Sequence, residues 1–368
     1  MYVGANLSLP ARFTLLGSPA DGTIQMITVY SADHVLRHPR TELSGGELVT
    51  PHECPERAQF VLDRVQEQRL GEVIAPTRFG ATPLLRVHDA QYLQFLERAW
   101  GDWVAAGNRG EAIPDCWPTR RMTQKRPNSI TGKLGYYAMA GETSISAGTW
   151  EAACAAADTA LTGAAHLKTG APAAFALCRP PGHHAARDLF GGYCFLNNAA
   201  VAAQFLRDGG AQRVAILDVD FHHGNGTQDI FYDRADVLFV SLHAHPADAF
   251  PYFSGYEDET GSSAGMGFTY NLPMPEGTEF DVWQAALRSA LERIAEFRAD
   301  ALIVSLGVDT FIGDPISSFR LRSDDFLTYG RMIGACSLPT LFVLEGGYAV
   351  REIGVNVVNV LTGFEEAR

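Results

Sequence analysis

The sequence predicts a single α/β domain built on an open, mainly parallel β-sheet flanked by helices. Three observations predict it. Short aliphatic runs (Val214 to Leu217, Ala301 to Leu306 and Leu341 to Leu344) alternate with longer helical segments, the pattern of repeated βαβ units. Each run ends in polar residues: Asp218-Val219-Asp220, Gly307-Val308-Asp309 and Glu345-Gly346-Gly347-Tyr348. That is where strands of a parallel sheet deliver side chains to a crevice beyond their carboxyl ends. Finally, the 368 residues are 46% hydrophobic and 19% charged, which suits one large core, and no run of linker composition divides them.

Taken in order, residues 1–25 are expected to be a leader or N-terminal extension, disordered, ahead of one folded unit over 26–368. Met26-Ile-Thr-Val-Tyr30 reads as the opening strand. Pro55 and Gly71 bracket a helix over Glu56 to Leu70, because Pro suits the first turn of a helix and Gly the position past its end. The segment 101–132 is rich in Gly, Pro, Arg and Trp without a period and reads as an insertion loop, and long irregular insertions are commonly functional. Thr149 is placed to cap the Ala-rich helix that follows, and Ser323 the helix through Phe326 and Met332. No internal repeat of solenoid period is found.

The formal net charge of −13 argues against nonspecific nucleic-acid binding, which needs a positive surface to displace counterions, and favours approach by a polycation. No apolar stretch approaches the roughly 20 residues that span a bilayer, and no secretory signal pattern opens the chain, so no membrane partner and a cytoplasmic location are expected. Six cysteines without Cys-x-x-Cys spacing predict reduced thiols rather than a zinc ribbon or disulfide framework. Of these, Cys194 reads first as a small buried hydrophobe.

Leu217 to Gly226 carries the most chemistry. Residues two apart in an extended chain share a face, so Asp218, Asp220 and His222 are expected to point one way. Such oxygen and nitrogen donors suit Zn²⁺, and three protein ligands leave one position for water or substrate. An isolated Asp-x-His is no more than a hydrogen-bonded loop pair, but two further features support a site. Arg179-Pro-Pro-Gly-His183-His184 sets adjacent imidazoles after a turn, a pairing suited to acid and base roles, and Asp309 and Tyr348 follow strands that would reach the same crevice.

Together these segments resemble the zinc-dependent histone deacetylase superfamily, and within it the bacterial acetylpolyamine amidohydrolases. The matching motifs are RPPGHHA (179–185), GGYCFLNNAAVAA (191–203), ILDVDFHHGNGTQDIFY (216–232), VSLHAHPADAFPYFSGY (240–256), SLGVDTFIGDP (305–315) and LEGGYAV (344–350), with His38 to Leu48 resembling the amidohydrolase subgroup. The resemblance implies an arginase/deacetylase-like fold and a catalytic domain over 26–368 that hydrolyses acetamides. It implies zinc ligation by Asp220, His222 and Asp309, with Fe²⁺ and Co²⁺ as alternatives. His184 would be the general base oriented by Asn225, His183 an electrostatic or proton-donating partner bonded to Asp218, and Tyr348 the donor to the oxyanion. Asn225 stands where some branches carry Asp, and a neutral amide should lower the pKa of His184 relative to a carboxylate partner.

The resemblance further implies that Tyr193 and Phe250 wall a narrow tunnel and that Glu42 and Glu142 accept the distal ammonium groups of an acetylated polyamine. Thr131 stands where the subgroup carries Glu, which removes one cation partner. Potassium is implied at an inner site (Asp218, Asp220, His222, Ser241, Leu242) and an outer one (Phe231, Arg234, Val237), and the insertion loop is implied to mediate a homodimer. Three other readings stay open: a protein or peptide acetyl-lysine deacetylase, a noncatalytic acetyl-ligand binder, and a twin-metal ureohydrolase of the related arginase fold.

Overall fold

The computed structural model describes residues 26–368; the expected leader, 1–25, lies outside them. Ten strands are present among the described residues: β1 (Ile27–Tyr30), β2 (Glu42–Ser44), β3 (Glu47–Val49), β4 (Val73–Ile74), β5 (Ala173–Leu177), β6 (Val214–Asp218), β7 (Val237–Ala244), β8 (Thr269–Met274), β9 (Ala301–Leu306) and β10 (Thr340–Leu344). β2 and β3 form an antiparallel hairpin, and the other eight form one sheet in the order β4-β1-β5-β10-β9-β6-β7-β8, every pairing parallel.

The central strands read as unbroken apolar runs because both sheet faces are buried. On one face, Ala174, Ile216, Phe239, Ile303 and Val343 pack with the helices Ala90–Ala105, Thr149–Lys168 and Asn198–Asp208. On the other, Phe175, Leu217, Val240, Val304 and Phe342 meet the helices Glu56–Glu67, Phe280–Phe297, Ser323–Gly334 and Ile353–Glu366. Each large side chain buried this way contributes about 1.5–3 kcal/mol relative to exposure. Among the described residues, no helix is long and apolar enough to cross a membrane.

Topology opens the crevice. β5 and β6 follow one another in sequence, yet β10 and β9 lie between them in the sheet, so the connections leaving their carboxyl ends diverge above the two central strands. Residues 179–197 after β5, 219–224 after β6, 307–309 after β9 and 345–348 after β10 all emerge on that side.

Three local expectations are corrected. The first helix ends at Glu67 rather than Leu70, with Gln68 closing it on the Arg64 carbonyl and Arg69 turning to positive φ ahead of Gly71. Gly148, not Thr149, caps the Ala-rich helix; the Thr149 hydroxyl instead accepts the Ser146 N–H at 3.0 Å and an Arg37 N–H at 3.3 Å. Ser323 is a first-turn residue, because Arg322 occupies the cap and donates its backbone N–H to Asp325 at 2.7 Å. The expected insertion is also shorter. The Ala90–Ala105 helix enters it, the Ile130–Tyr137 helix closes it, and 106–129 is irregular.

Candidate active site

β6 supplies the first carboxylate as its ladder ends, with Asp218 paired to Ser241 of β7 and Ser305 of β9. The expected strand alternation stops there, and what keeps the next residues on the same side is a turn. Asp218 Oδ1 accepts the Asp220 N–H at 3.1 Å, and Asp220 Oδ1 accepts the His222 N–H at 2.9 Å. Asp309, three residues past β9, accepts the Phe221 N–H at 2.8 Å, which locks the two connections together. His222 Nδ1 then lies 3.2 Å from Asp220 and 3.0 Å from Asp309.

The ligand atoms of Asp220, His222 and Asp309 all fall within 4.8 Å of one another. Both carboxylates are fully buried, and their ion-pair partners are histidines, with no Arg or Lys among the described residues. Burial and then the charge of Asp220 push Asp309 up to about 8. Against burial, the same carboxylates raise His222 to about 10. Two carboxylates and an imidazole converging in a buried spot are the oxygen and nitrogen donors a divalent ion takes, one from each residue, so the donor set fits a metal. Gly346 donates its N–H to Asp220 at 2.8 Å, and a Cβ there would overlap both carboxylates.

Beside the trio, the His183 and His184 rings lie 4.0 Å apart, tilted by 44°. His183 Nδ1 is 3.0 Å from Asp218, and although burial opposes its charge, Asp220 and Asp218 push it up to about 10. His184 Nδ1 is 2.7 Å from Asn225 Oδ1, and burial, aided by His183 and His222, holds this ring well below the usual imidazole value. Two adjacent histidines are thus driven in opposite directions, one toward the cation and one toward the free base.

His184, His222 and Tyr348 open into one cavity of about 520 Å³, and Asp220, Asp309 and His183 are buried next to these residues. Tyr193 and Phe250 line it as expected. The Tyr193 and Tyr348 ring centroids lie 5.5 Å apart, and those of Phe250 and His184 5.1 Å apart with the rings near perpendicular. Glu42 and Glu142 also face the cavity. Glu42 is engaged, accepting the Tyr193 hydroxyl at 2.7 Å and the His52 N–H at 3.0 Å. Glu142 uses Oε1 for the Gly192 N–H and the Thr143 hydroxyl.

Of the residues expected to hold potassium, Ser241 and Leu242 lie on β7 next to Asp218, and the Ser241 hydroxyl meets His243 Nδ1 at 2.8 Å. Phe231 ends the helix Asn225–Phe231, its carbonyl accepts the Arg234 N–H at 3.0 Å, and Val237 opens β7. Thr131 is exposed in the first turn of the Ile130–Tyr137 helix.

Several residues escaped sequence reasoning. Glu345 accepts the Gly182 and His183 N–H groups and fixes the histidine turn. Arg57 bonds the Glu345 and Gly347 carbonyls and lies 4.7 Å from the Tyr348 ring centroid. Asp314 accepts the Tyr348 N–H at 2.6 Å. Asp248, Glu276 and Ile316 also line the cavity. Glu345 and Asp314 sit inside the motifs quoted above, which was the available signal. Cys194 is buried, with Sγ close to His183 and Glu345; burial pushes that thiol well above its ordinary value, so it stays protonated and is a poor ligand. Among the described residues all six cysteines are free thiols.

Comparison with known proteins gives a consistent set of relatives. The family model "Histone deacetylase domain" matches residues 51–364. The acetylpolyamine amidohydrolase of Mycoplana ramosa is 58% identical over 338 residues, covering 92% of this chain and 99% of that protein. Acetylpolyamine amidohydrolase 2 of Pseudomonas aeruginosa is 56% identical over 340 residues, covering 92% and 99%. The crystal structure of an acetylpolyamine aminohydrolase from Burkholderia pseudomallei superposes with a TM-score of 0.89 at 40% identity, covering 93% of this chain and 99% of that one.

Proposed function

The chain belongs to the histone deacetylase family and is a hydrolase, and from that premise we propose that it removes acetate from acetylated polyamines. The observation that carries the reading is the convergence of the Asp220-His222-Asp309 donors, the oppositely tuned histidines and Tyr348 around one cavity with carboxylates on its wall. Asp220, His222 and Asp309 would hold the ion. When bound, Zn²⁺ supplies a Lewis acid that polarises the acetyl carbonyl and acidifies the attacking water; Fe²⁺ and Co²⁺ suit the same donors.

The protein's own groups do the rest. Asn225 Oδ1 can only accept, so His184 carries its proton on Nδ1 and presents the Nε2 lone pair, free to take a proton from the attacking water. His183, with Nδ1 3.0 Å from Asp218, would act as an electrostatic partner or donate a proton to the departing amine. Burial keeps Tyr348 protonated, and its hydroxyl donates to the oxygen on which charge develops. Tyr193 and Phe250 hold the alkyl chain between aromatic faces. The carboxylates of Glu42 and Glu142, with the net charge of −13, favour a cationic substrate tail.

Potassium at the inner site (Asp218, Asp220, His222, Ser241, Leu242) and the outer one (Phe231, Arg234, Val237) would be structural. The insertion at 106–129, which exposes Trp117 and Met122, would pair two copies as a homodimer. The test is catalytic efficiency on acetylputrescine, acetylcadaverine and acetylspermidine against an acetyl-lysine peptide, each with zinc present. Preference for the amines is expected. Equal or better turnover of the peptide overturns the substrate assignment, and no turnover of any substrate overturns the enzymatic one.

A further inference from the structure

One buried carboxylate is left without a part in this chemistry. Asp314 is 7% exposed, and its hydrogen bonds run to backbone N–H groups: Tyr348 at 2.6 Å and Ala349 at 3.2 Å on Oδ2, and Ile316 at 3.1 Å on Oδ1. Burial pushes its carboxyl above the ordinary range. Such a group is costly to bury and is kept where it holds something in place.

What it holds is the backbone that presents Tyr348. The β10 ladder ends at Leu344, and two glycines separate it from Tyr348, with Gly347 at a φ of +133° that leaves the direction of the chain open. Arg57 holds the carbonyls ahead of Tyr348, whereas the N–H groups of Tyr348 and Ala349 both go to Asp314. Ile316 and Tyr348 face the same cavity. One carboxylate therefore ties the phenol's backbone to the wall along which a substrate lies.

We propose that Asp314 is a positioning residue of the reaction, setting the Tyr348 hydroxyl against the reacting carbonyl by clamping the backbone of 348–349 to that of 316. The inference rests on the reading of Tyr348 as oxyanion donor. Asp314→Asn keeps the size of the side chain but replaces one accepting oxygen with an amide NH2, which cannot accept, so either the 348–349 side or the 316 side of the clamp loses its acceptor.

The experiment is a kinetic cycle of Asp314→Asn, Tyr348→Phe and the double variant on an acetylated diamine, with bound metal and thermal midpoint measured for each. Asp314→Asn is expected to lower kcat about 10- to 100-fold, as a misplaced group does, with KM within about threefold. In the Tyr348→Phe background it should cost less than about threefold, because the donor it aims is gone. A kcat within about twofold of the parent, an equal cost in both backgrounds, or metal loss in step with kcat overturns the proposal. If Asp314→Asn does not fold, Asp314→Ser, which leaves room for water to meet the three donors, takes its place. Failure of both to fold makes the residue purely structural and overturns the proposal. Undiminished kcat in Tyr348→Phe alone sinks the parent reading and this one with it.

Discussion

Asn225→Asp exchanges the amide 2.7 Å from His184 Nδ1 for a carboxylate. Unit charges about 4 Å apart at an effective dielectric of about 20 interact by about 4 kcal/mol, or roughly three pH units on the imidazole. Asn225 is only half-buried and borders two outer cavities of about 430 and 370 Å³, so water will screen the new charge and reduce the shift to about one or two units. The sign follows from the roles. His184 works as a neutral base and is held below 6.5, so the acid limb of kcat/KM in the parent lies below that pH. The carboxylate stabilises the protonated ring, so the limb should move up by that amount and turnover near neutrality should fall. The assay is kcat/KM across pH for both proteins, with metal content measured at each point because acid also strips ligands. A limb that stays put or moves down refutes the assignment of His184 as base and of Asn225 as its tuner.

Asp309→Asn removes one of two carboxylate donors and should weaken metal binding more than about 100-fold, beyond the usual cost of losing an outer partner; elemental analysis after dialysis reads this directly. Glu142→Gln should lower kcat/KM for acetylputrescine about tenfold or more while changing that of an uncharged N-alkylacetamide less than about twofold, measured in parallel. His88 is buried and neutral, its pKa lowered by burial to about 4, with Nδ1 2.9 Å from the Ala186 carbonyl and Nε2 accepting the Asn197 N–H. The unfolded chain binds this proton near 6.5 and the folded one only near 4, so stability is retained above pH 6.5 and lost as pH falls toward 4. Urea unfolding at about pH 7 and about pH 4.5 should show the parent losing about 2–3 kcal/mol more than His88→Gln.

The sheet was legible from aliphatic runs and the polar residues that end them, and the same pattern pointed Asp220, His222 and Asp309 to one crevice, their reading as a ligand set coming from the family resemblance. Even so, the stated reason covered only Asp218. Beyond it, Asp220 and His222 are aimed by a turn, stitched by side-chain-to-backbone bonds, that a period-two pattern does not describe. Asp314, Glu345 and Arg57 were invisible as actors because their partners are backbone groups, 34 residues away for Asp314 and Tyr348 and 290 for Arg57 and Gly347. The side chains alone carry no sign of that pairing. Thr149 and Ser323 misled for the converse reason: their hydroxyl chemistry suits a cap, but neighbouring residues occupied it. Glu42 was read as an acceptor for a ligand's ammonium group, and its bond to Tyr193, a pairing across 151 residues, left no mark in the sequence.

The side chains around the Asp220-His222-Asp309 cluster follow β6, β9 and β10, neighbouring strands of the sheet. Their mutual spacing is therefore inherited from the amide ladder and the turns that leave it, and a slip of one residue in β9 would pull Asp309 off the Phe221 N–H that locks the two connections together. No partly assembled version of the centre can persist while the ladder re-pairs. Loss of turnover on heating should accordingly coincide with melting of the whole sheet, so that residual activity doubles as a gauge of how many molecules are still intact.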